Sequence, residues 1–454
     1  MRHWVIAGYG NTGRSVARFL AACGERAIAF DTRSAVAEDG LCPLHAAEPE
    51  DSARLRHALR GARALVRSPG LPMTHRWVQD AVSADVPVIG DIELFARHVQ
   101  GPVLAVTGTN GKSTTTALLG AMARAGGIQC AVGGNLGPPA LDLLQRETAE
   151  LYILEISSFQ LETTHSLALE AGVVLNVAPD HLDRHASMAE YTALKARLYE
   201  RCRVPVVNLD DPAVRRMVAT HSVGFTCGAP PEPVSYGIDR HHGEPWFVLG
   251  QNPLFPVSDI PLRGMHNRVN VLAALALGAA AGLDQESMYQ AILDFTGLPH
   301  RMHYVATVSG IQFWNDSKAT NVAAACAAVR GLADELGQAQ TQARAASFRP
   351  GIVLIAGGLG KNESFAPLAE DLRPFLKMVL TIGQAAGQID AAMAEHGIES
   401  MPCASMSEAV ERAAALARPG DQVVLAPGCA SFDMFRDYSQ RGEVFETCVH
   451  ALSA

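Results

Sequence analysis

A glycine turn that ends in a lysine and two hydroxyl residues occupies Thr107–Thr114, with the sequence T-G-T-N-G-K-S-T. It follows the apolar run Val103–Val106 and precedes a predicted helix from Thr114 to about Ala125. In such a loop the backbone N–H groups surround phosphates, the lysine reaches the transferred phosphoryl group and a hydroxyl binds Mg²⁺. The general pattern has a glycine six residues before the lysine, where this chain has Val106, so the loop is a compact variant. It predicts ATP binding.

Carboxylate and imidazole groups follow the next two predicted strands. Glu155 ends the buried strand Leu151–Leu154, and the segment Asp180–His185, D-H-L-D-R-H, follows the strand predicted over Gly172–Val177. Because the carboxyl ends of parallel strands meet at one edge of a sheet, we expect these groups to lie beside the glycine turn. Phosphate chemistry and oxygen ligands favour Mg²⁺ over the alternative metal, zinc. A solvated loop is the other interpretation of the D-H-L-D-R-H segment.

A second glycine turn, Gly8–Gly13, lies between the predicted strand Trp4–Ala7 and a helix expected from about Arg14 to Ala22. Asp31 stands at the end of the following strand. This spacing matches the dinucleotide-binding pattern, in which the glycines let a diphosphate approach the helix N-terminus. Three interpretations stay open: a nicotinamide dinucleotide, another diphosphate such as a nucleotide sugar, or a tight strand–helix crossing with no ligand.

Three loops in the last third of the chain each follow an apolar run. They are Asn315–Asn321, Gly357–Lys361 and Ala426–Asp433, and His300-Arg301 precedes the first of these runs. Each loop alone is typical of a simple turn. Together, at the carboxyl ends of strands in one predicted sheet, they predict a ligand-binding edge.

The composition limits the classes of protein to consider. The 454 residues include 48% hydrophobic and 18% charged residues, which excludes global disorder, and the net charge of −9 argues against a protein that coats duplex nucleic acid. The nine cysteines contain no C-x-x-C pair, which favours free thiols in a reducing cytosol. The apolar run at the start of the chain is too short for a signal peptide, and the longest apolar stretch, Val269–Leu283, is too short for a membrane span. We therefore expect a cytoplasmic protein without a nucleic-acid or membrane partner.

The alternation of short apolar runs with Ala/Leu-rich stretches predicts an α/β protein with mostly parallel sheets. Gly and Pro residues interrupt this alternating pattern and predict three domains, over residues 1–90, 91–297 and 298–454. The Pro-rich segment from about Pro230 to Pro261 predicts irregular strands at the edge of the middle domain, and Gln338–Pro350 predicts a surface insertion.

A set of segments spread over essentially the whole chain carries a resemblance to a known family. These segments are Gly8–Gly13, Asp31–Arg33, Ser68–Gly70, Gly108–Thr114, Gly134–Gly137, Glu155–Leu161, Asp180–Arg184, Lys195, His266–Asn270, His300-Arg301, Asn315–Asn321 and Ser431-Phe432. In this order they resemble the Mur ligases of peptidoglycan synthesis, and most of all the branch that adds D-glutamate to UDP-N-acetylmuramoyl-L-alanine. The resemblance implies a Rossmann-like N-terminal domain, a central P-loop ATPase-type domain and a Rossmann-like C-terminal domain.

The resemblance also implies a role for individual residues. Lys112, Glu155, His181 and Lys195 would be the catalytic residues. ATP would be bound by Gly108, Thr109, Asn110, Gly111, Lys112, Ser113, Thr114, Thr115, Asn267, Arg301 and Asp316. The UDP-linked substrate would be bound in the first domain and at the muramoyl end by Gly10, Asn11, Thr12, Asp31, Thr32, Arg33, Ser68, Pro69, Gly70, Asn135 and Ser157. Glutamate would be bound by Lys318, Thr320, Lys361, Ser431 and Phe432.

The family also implies two Mg²⁺ ions, held by Ser113 or Thr114, by Glu155 and by His181, with Lys195 carbamylated by CO₂ to support the second metal. The implied reaction forms an acyl phosphate from ATP and the alanyl carboxylate, which the amine of glutamate then attacks. The implied partners are the small-molecule substrates alone, and we expect a monomer.

Two alternatives stay open at this point. A folylpolyglutamate synthase-like ligase shares the ATP and glutamate chemistry, but that family begins near the P-loop and lacks a domain like Gly8–Gly13. A nucleotide-sugar sensor without turnover is the other, and the joint presence of Lys112, Glu155, His181 and Lys195 argues against it.

Overall fold

The protein is described by a computed structural model that covers residues 3–33, 39–46, 53–145, 149–180, 184–218, 221–262, 264–343, 351–360 and 364–452. The chain divides into two compact units. The first contains Met1–Val177, Arg184–Val257 and Asn270–Ile292, and the second contains Ala178–Asp183, Ser258–Val269 and Leu293–Ala454. No described helix is long and apolar enough to span a bilayer.

The first unit opens with a five-stranded parallel sheet in the order β3-β2-β1-β4-β5. Its strands are β1 (Trp4–Ala7), β2 (Ala27–Asp31), β3 (Leu44–Ala46), β4 (Leu65–Arg67) and β5 (Val88–Ile89), and its helices are α1 (Asn11–Ala22), α2 (Ala53–Leu59), α3 (Arg76–Ser83) and α4 (Asp91–Ala96). Strand β1 is buried along its whole length because it lies in the middle of this sheet. Helix α1 begins at Asn11, three residues before the predicted start, so the glycine turn leads directly into its N-terminus.

A second sheet in the same unit has nine strands, in the order β14-β13-β12-β11-β10-β9-β6-β8-β7. Its strands are β6 (Val103–Thr107), β7 (Cys130–Gly134), β8 (Leu151–Glu155), β9 (Leu169–Val174), β10 (Cys202–Asn208), β11 (Val223–Phe225), β12 (Tyr236–His241), β13 (Glu244–Leu249) and β14 (Asn252–Pro256). The helices that follow in the chain are α5 (Lys112–Ala125), α6 (Ala140–Leu143), α7 (Ser158–Leu161), α8 (Met188–Ala196), α9 (Pro212–Arg215), α10 (Met265–Ala280) and α11 (Gln285–Asp294). The sheet is parallel from β7 to β12, and β12, β13 and β14 form an antiparallel edge. The edge strands expected between Pro230 and Pro261 are therefore present, as an antiparallel meander whose register shifts between Phe247 and Val248.

Strand β9 ends at Val174, although the sequence predicted a strand over Gly172–Val177. The predicted strand was wrong at both ends because Leu169–Ala171 pair in the sheet and because the chain leaves the sheet after Val174. Beyond that point the side chain of Asn176 hydrogen-bonds to the backbone of the glycine turn after β6. The residues at the carboxyl end of β9 thus support the neighbouring loop instead of extending the ladder.

The second unit contains a six-stranded sheet in the order β15-β16-β20-β17-β18-β19. Its strands are β15 (His303–Val308), β16 (Ile311–Asn315), β17 (Ile352–Gly357), β18 (Leu376–Ile382), β19 (Ser400–Pro402) and β20 (Gln422–Leu425). Its helices are α12 (Val322–Ala343), α13 (Ala366–Leu372), α14 (Ala386–Glu395), α15 (Met406–Leu416) and α16 (Tyr438–Ala451). All neighbouring strands are parallel except β15, which forms an antiparallel hairpin with β16 that the sequence did not reveal.

Helix α12 extends to Ala343 and so enters Gln338–Pro350, the segment predicted as a surface insertion. A helix forms here because alanine and glutamine are good helix formers even where no apolar stripe marks the helix, and the surface insertion stays a prediction. Residues 344–350 lie outside the described part of the chain.

Candidate functional site

The glycine turn after β6 is held in place by side chains from two other segments. The backbone N–H groups of Thr109 and Asn110 donate to the Asn176 side-chain oxygen over 3.1 and 2.8 Å. Gly111 has a left-handed backbone, with φ of 83°, and a Cβ there would lie 2.3 Å from Oδ1 of Asn270. Only glycine fits this position. Helix α5 begins at the next residue, Lys112, two residues before its predicted start, so the N–H groups of its first turn point towards the loop.

Two lysine side chains converge on one carbonyl oxygen of this turn. The ammonium groups of Lys112 and Lys195 each donate to the oxygen of Gly108 over 2.9 Å. Lys195 is 1% exposed and its ammonium lies 4.4 Å from the ring centroid of Tyr191. The Tyr191 hydroxyl in turn lies 3.2 Å from the hydroxyl of Thr109. The structure therefore brings the predicted catalytic residue Lys195 to the P-loop, although the two are far apart in the sequence.

Glu155 lies at the end of β8, which pairs with the P-loop strand β6. The carboxylate is 2% exposed, and its Oε1 accepts a hydrogen bond of 2.5 Å from the Asn135 side chain. Its Oε2 is buried and has no hydrogen-bond partner among the residues that the structure describes. A buried carboxylate oxygen without a partner is costly unless a cation or donor satisfies it, so Glu155 fits a divalent cation. Within the described residues no group of three His, Cys, Asp or Glu side chains forms a complete metal site.

Five further predicted residues belong to this region. Ser113, Thr114 and Thr115 lie on the first turn of α5 and are buried, as expected for a hydroxyl beside the P-loop. Ser157 is the N-cap residue of helix α7, and its side chain forms a capping box with the side chain of Gln160. The predicted metal ligand His181 lies outside the described residues, so the structure does not place it.

The first glycine turn is organised by Asp31. This carboxylate accepts hydrogen bonds from the Tyr9 backbone (2.6 Å), from the Arg33 backbone (2.9 Å) and from two nitrogens of the Arg33 guanidinium (2.8 and 2.9 Å). Burial alone would raise the pKa of Asp31, but the hydrogen bonds from Arg33 and the backbone outweigh it and lower the pKa to about 2. Asp31 is thus a fixed anion that sets the shape of the turn and the position of Arg33.

The other predicted residues of the first domain adjoin this turn. Gly10 is the N-cap of α1, and Asn11 and Thr12 are its first two residues. A Cβ on Gly8 would lie 2.7 Å from Cβ of Ser68, so the Gly8–Gly13 turn and the Ser68–Gly70 loop are in contact. The Gly8–Gly13 turn and the Ser68–Gly70 loop therefore lie side by side, and their role in binding stays a prediction.

The Ser68–Gly70 loop is also joined to the central sheet by two arginines. The Arg184 guanidinium donates to the carbonyls of Gly70 (2.9 Å) and Pro69 (3.3 Å) and lies 4.5 Å from the ring centroid of Phe159. Arg67, which is 1% exposed, donates to the Phe159 carbonyl over 2.7 Å. The loop predicted to bind the UDP moiety is thus fixed to the segment that follows Glu155.

In the second unit, the loops after β16, β17 and β20 lie against one another. The Gly428 N–H donates to the Ala319 carbonyl over 2.9 Å, and Leu359 and Ala430 form an isolated antiparallel bridge. The Lys318 ammonium lies 3.8 Å from the ring centroid of Tyr438. Three predicted glutamate-binding positions, Lys318, Thr320 and Ser431, therefore stand on loops in mutual contact.

Two other predicted glutamate-binding residues have different outcomes. Phe432 follows on the same loop as Ser431 and is 70% exposed. Lys361 lies outside the described residues.

A cleft of about 460 Å³ in the same unit is lined by two of the predicted ATP-binding residues, Asn267 and Arg301, together with Tyr304 and Trp314. Arg301 stands between His300 and Met302, whose φ angles of 61° and 46° are unusual for residues with side chains. Such strain is retained where the surrounding structure fixes the backbone, here partly through the hydrogen bond from Lys318 N to the His300 carbonyl.

Burial affects two titratable groups near Arg301. Burial raises the pKa of Asp316 to about 7, against the opposing influence of the Arg301 cation. Burial also lowers the pKa of His266 to about 4, and the same cation adds to this effect. His266 is therefore a neutral imidazole at neutral pH, while Asp316 can exchange a proton there.

Several residues of these sites were missed from the sequence. Tyr191 could have been found, because it stands four residues before Lys195 on a helix and so shares its face. Asn176 supports the P-loop through side-chain hydrogen bonds that leave no sequence pattern, and Asn270, which stands in the recognised segment His266–Asn270, was given no role there. The hydrogen bonds of Arg441, which contacts the loops of the second unit, likewise leave no sequence pattern.

Comparisons with known proteins agree along the chain. Family models match at residues 2–90 (Mur ligase MurD-like, N-terminal domain), 106–278 (Mur ligase middle domain) and 300–429 (Mur ligase, glutamate ligase domain). A UDP-N-acetylmuramoylalanine--D-glutamate ligase of Nitrosococcus oceani is 43% identical over an alignment of 454 positions, which covers 99% of this chain and 96% of that protein.

Solved structures share the fold at lower identity. The UDP-N-acetylmuramate-alanine ligase of Thermotoga maritima has a TM-score of 0.63 and 14% identity, over 99% of this chain and all of that one. The MurF ligase of Thermotoga maritima, solved in complex with ADP, has a TM-score of 0.59 and 16% identity, over 99% of this chain and 98% of that one. At this level of identity these two likenesses concern the fold alone.

Proposed function

The chain belongs to the Mur ligase family, and on that basis we propose that it joins D-glutamate to UDP-N-acetylmuramoylalanine with ATP in peptidoglycan synthesis. The observation that carries the proposal is the 43% identity to a D-glutamate ligase over 99% of the chain. It is an ATP-dependent ligase, and three domains of the Mur ligase type make up the protein. The domain bounds 1–90, 91–297 and 298–454 are our proposal for the UDP-binding, ATP-binding and amino-acid-binding parts.

We assign ATP to the P-loop, Gly108–Thr115, and to Asn267, Arg301 and Asp316. The support is chemical. Lys112 now donates to two carbonyls of its own loop, Gly108 and Thr109, and an ammonium group held there can transfer its hydrogen bonds to phosphate oxygens. Asn267 and Arg301 line the same cleft, where a guanidinium suits ribose or phosphate oxygens.

We assign the UDP-linked substrate to the Gly10–Thr12 turn, to Asp31–Arg33, to Ser68–Gly70, and to Asn135 and Ser157 at its muramoyl end. The N-terminus of α1 offers N–H groups to a diphosphate, and Arg33 adds a cation that Asp31 keeps in place. Because Asp31 already accepts hydrogen bonds from its own turn, its role in substrate binding is partly to position Arg33. We assign glutamate to Lys318, Thr320, Lys361, Ser431 and Phe432.

Mg²⁺ fits the residues beside the P-loop, because Glu155 keeps one carboxylate oxygen without a partner and the hydroxyls of Ser113 and Thr114 lie on the first turn of α5. Ser113 or Thr114 and Glu155 would hold one ion, and His181 a second. Bound there, the ions would neutralise charge on the phosphates. A carbamate on Lys195 would place an anion beside Lys112, where two ammonium groups now share the Gly108 oxygen as like charges. This makes Lys195 our candidate for that modification.

The chemistry follows from the substrates. The alanyl carboxylate is a poor electrophile, so its oxygen first attacks the γ-phosphorus of ATP, the bond to ADP breaks and an acyl phosphate forms. Lys112 lies where it can balance the charge that develops on the phosphoryl oxygens. The glutamate amine then attacks the acyl carbon, the new C–N bond forms, and phosphate and a proton leave.

The test is release of ADP and phosphate in the presence of ATP, UDP-N-acetylmuramoyl-L-alanine and each glutamate enantiomer. We expect release that requires both the UDP-linked acceptor and D-glutamate. Release with L-glutamate and a folate acceptor would instead support a folylpolyglutamate synthase-like ligase. Binding of the nucleotide sugar without any release would support a sensor. Replacing Glu155 by Gln serves as the control variant, because it keeps the size of the side chain and removes its charge.

The proposal extends to a monomer in the cytoplasm. All nine cysteines are free thiols, which fits a reducing compartment. Sedimentation of the protein at working concentration tests the monomeric state.

A further inference from the structure

A fully buried arginine lies beneath the loops of the second unit. Arg441 belongs to the first turn of α16 and is 0% exposed. Its Nε donates to the Ser317 hydroxyl over 3.0 Å, and Nη2 donates to the Ser317 carbonyl over 2.8 Å. Its Nη1 donates to the carbonyls of Cys429 (3.1 Å), Ala430 (3.4 Å) and Gly357 (3.5 Å). One guanidinium thus joins the loops that follow β16, β17 and β20.

These loops carry the residues assigned to glutamate. Ser317 immediately precedes Lys318, and Ala430 immediately precedes Ser431. The Ser317 hydroxyl also donates to the carbonyl of Tyr438, whose ring lies under the Lys318 ammonium. Any displacement of Arg441 would therefore move the residues directly before Lys318 and Ser431, two of the residues assigned to glutamate.

Arg441 forms no direct ion pair within the described residues, although Asp433 on the loop after β20 acts on its charge from further away. Among the described residues no carboxylate lies within 4.0 Å of its guanidinium, and its hydrogen bonds go to carbonyl oxygens and one hydroxyl. Removing a charge from water is expensive, so a buried arginine held by loop carbonyls and one hydroxyl, without an ion pair, does little for stability that an apolar residue could not do. What it supplies is geometry: a planar group with five N–H donors in fixed directions.

We propose that Arg441 is a positioning residue for the amino-acid pocket, which holds the three loops in the arrangement that binds glutamate. This inference rests on the proposed function, because it takes these loops as the glutamate pocket. It assigns to α16 a role in substrate recognition although Arg441 itself is shielded from the substrate.

The test is Arg441→Lys, which keeps the charge but offers three donors around one atom instead of a planar fork. We expect the KM for D-glutamate to rise at least 10-fold, while the KM values for ATP and the UDP-linked substrate stay within twofold. Arg436→Lys is the matched control, because Arg436 stands just before the same helix with its side chain 75% exposed, and we expect no change there. An unchanged KM for D-glutamate, or an equal rise in all three KM values, would overturn the proposal.

A second variant covers the case in which Arg441→Lys does not fold. Ser317→Ala removes one acceptor of the guanidinium and leaves the rest of the loop, and we expect a 3- to 10-fold rise in the KM for D-glutamate alone. If that KM is unchanged in a folded Ser317→Ala protein, the positioning role is wrong. Failure of the proposed function itself is recognised separately, since the wild-type protein would then show no glutamate-dependent ADP release.

Discussion

Replacing Gly111 by alanine tests whether the P-loop geometry depends on the contact with Asn270. Gly111 lies directly before α5 with φ of 83°, and a Cβ there would lie 2.3 Å from Oδ1 of Asn270 and 3.2 Å from Cδ1 of Leu175. Gly127 lies just beyond the other end of the same helix with φ of 76°, and a Cβ there would meet nothing within 4 Å. The two substitutions share the backbone strain and differ in the steric clash.

The expected magnitude follows from that difference. An alanine in the left-handed region costs roughly 1–2 kcal/mol at either site. At Gly111 the clash adds about 1–3 kcal/mol, the usual cost of overpacking a filled site. Asn270 cannot move away freely, since its side-chain oxygen also accepts a hydrogen bond of 3.3 Å from Thr115.

The assay is the dissociation constant for ATP, measured by calorimetry for both variants. If ATP needs the native loop, the extra 1–3 kcal/mol at Gly111 corresponds to a roughly 5- to 150-fold weaker affinity than in Gly127→Ala. Gly127→Ala is expected to bind ATP like the wild-type protein, because its strain lies at the far end of α5. Equal ATP affinity in the two variants would refute the reasoning, and a loss of affinity in Gly127→Ala alone would reverse it.

Three further predictions concern the other sites. The pKa of Asp31 is lowered to about 2, so the ionised carboxylate stabilises the fold above pH 3.8, and this stabilisation is lost as the pH falls through about 2. We therefore expect Asp31→Asn to lose about 1–2 kcal/mol in denaturant unfolding at pH 7, less than the full shift implies because Arg33 is 62% exposed, with a smaller loss at pH 3. The pKa of Asp316 is raised to about 7, so its ionisation does not lower the free energy of unfolding below pH 3.8 and lowers it by the full amount above pH 7. Asp316→Asn should therefore gain more thermal stability at pH 8 than at pH 5. Gly442→Ala should lower the melting temperature although alanine favours helices, because its Cβ would lie 2.3 Å from Nδ1 of His300; a higher melting temperature would contradict this.

Local pattern was enough to predict the parts of the fold that the chain builds from neighbouring residues. The strands β1, β6 and β8 and the glycine turns after the first two were found because an apolar run followed by glycines is a short-range signal. The helix starts at Asn11 and Lys112 were predicted two or three residues late, because the turns lead into the helices without a polar cap. The hairpin of β15 with β16 was missed because β15 is exposed or half-buried along its whole length and so contributes no apolar run to the pattern.

The residues that the sequence could not reveal share one physical property. Asn176, Arg67 and Arg441 act through hydrogen bonds to the backbone of distant loops, and a backbone group carries no mark in the sequence of the loop it belongs to. A family resemblance predicts which side chains contact a substrate. A side chain that hydrogen-bonds to the carbonyl of a distant loop is found only in the three-dimensional structure.

Arg67 in the first unit and Arg441 in the second are both buried, and both hydrogen-bond to the backbone of loops. Arg67 is 1% exposed and donates to the carbonyls of Leu71 and Phe159, beside the loop assigned to UDP, and Arg441 is 0% exposed and donates to loops assigned to glutamate. Ligand loops need carbonyl and N–H groups turned away from the regular ladder, and each such group must find a partner. A guanidinium can satisfy several carbonyls at once from within the core. Fixing a loop in this way leaves its outer face uncovered, so Arg441, and Arg67 together with its ion-pair partner Glu162, can shape the proposed sites from beneath without entering them.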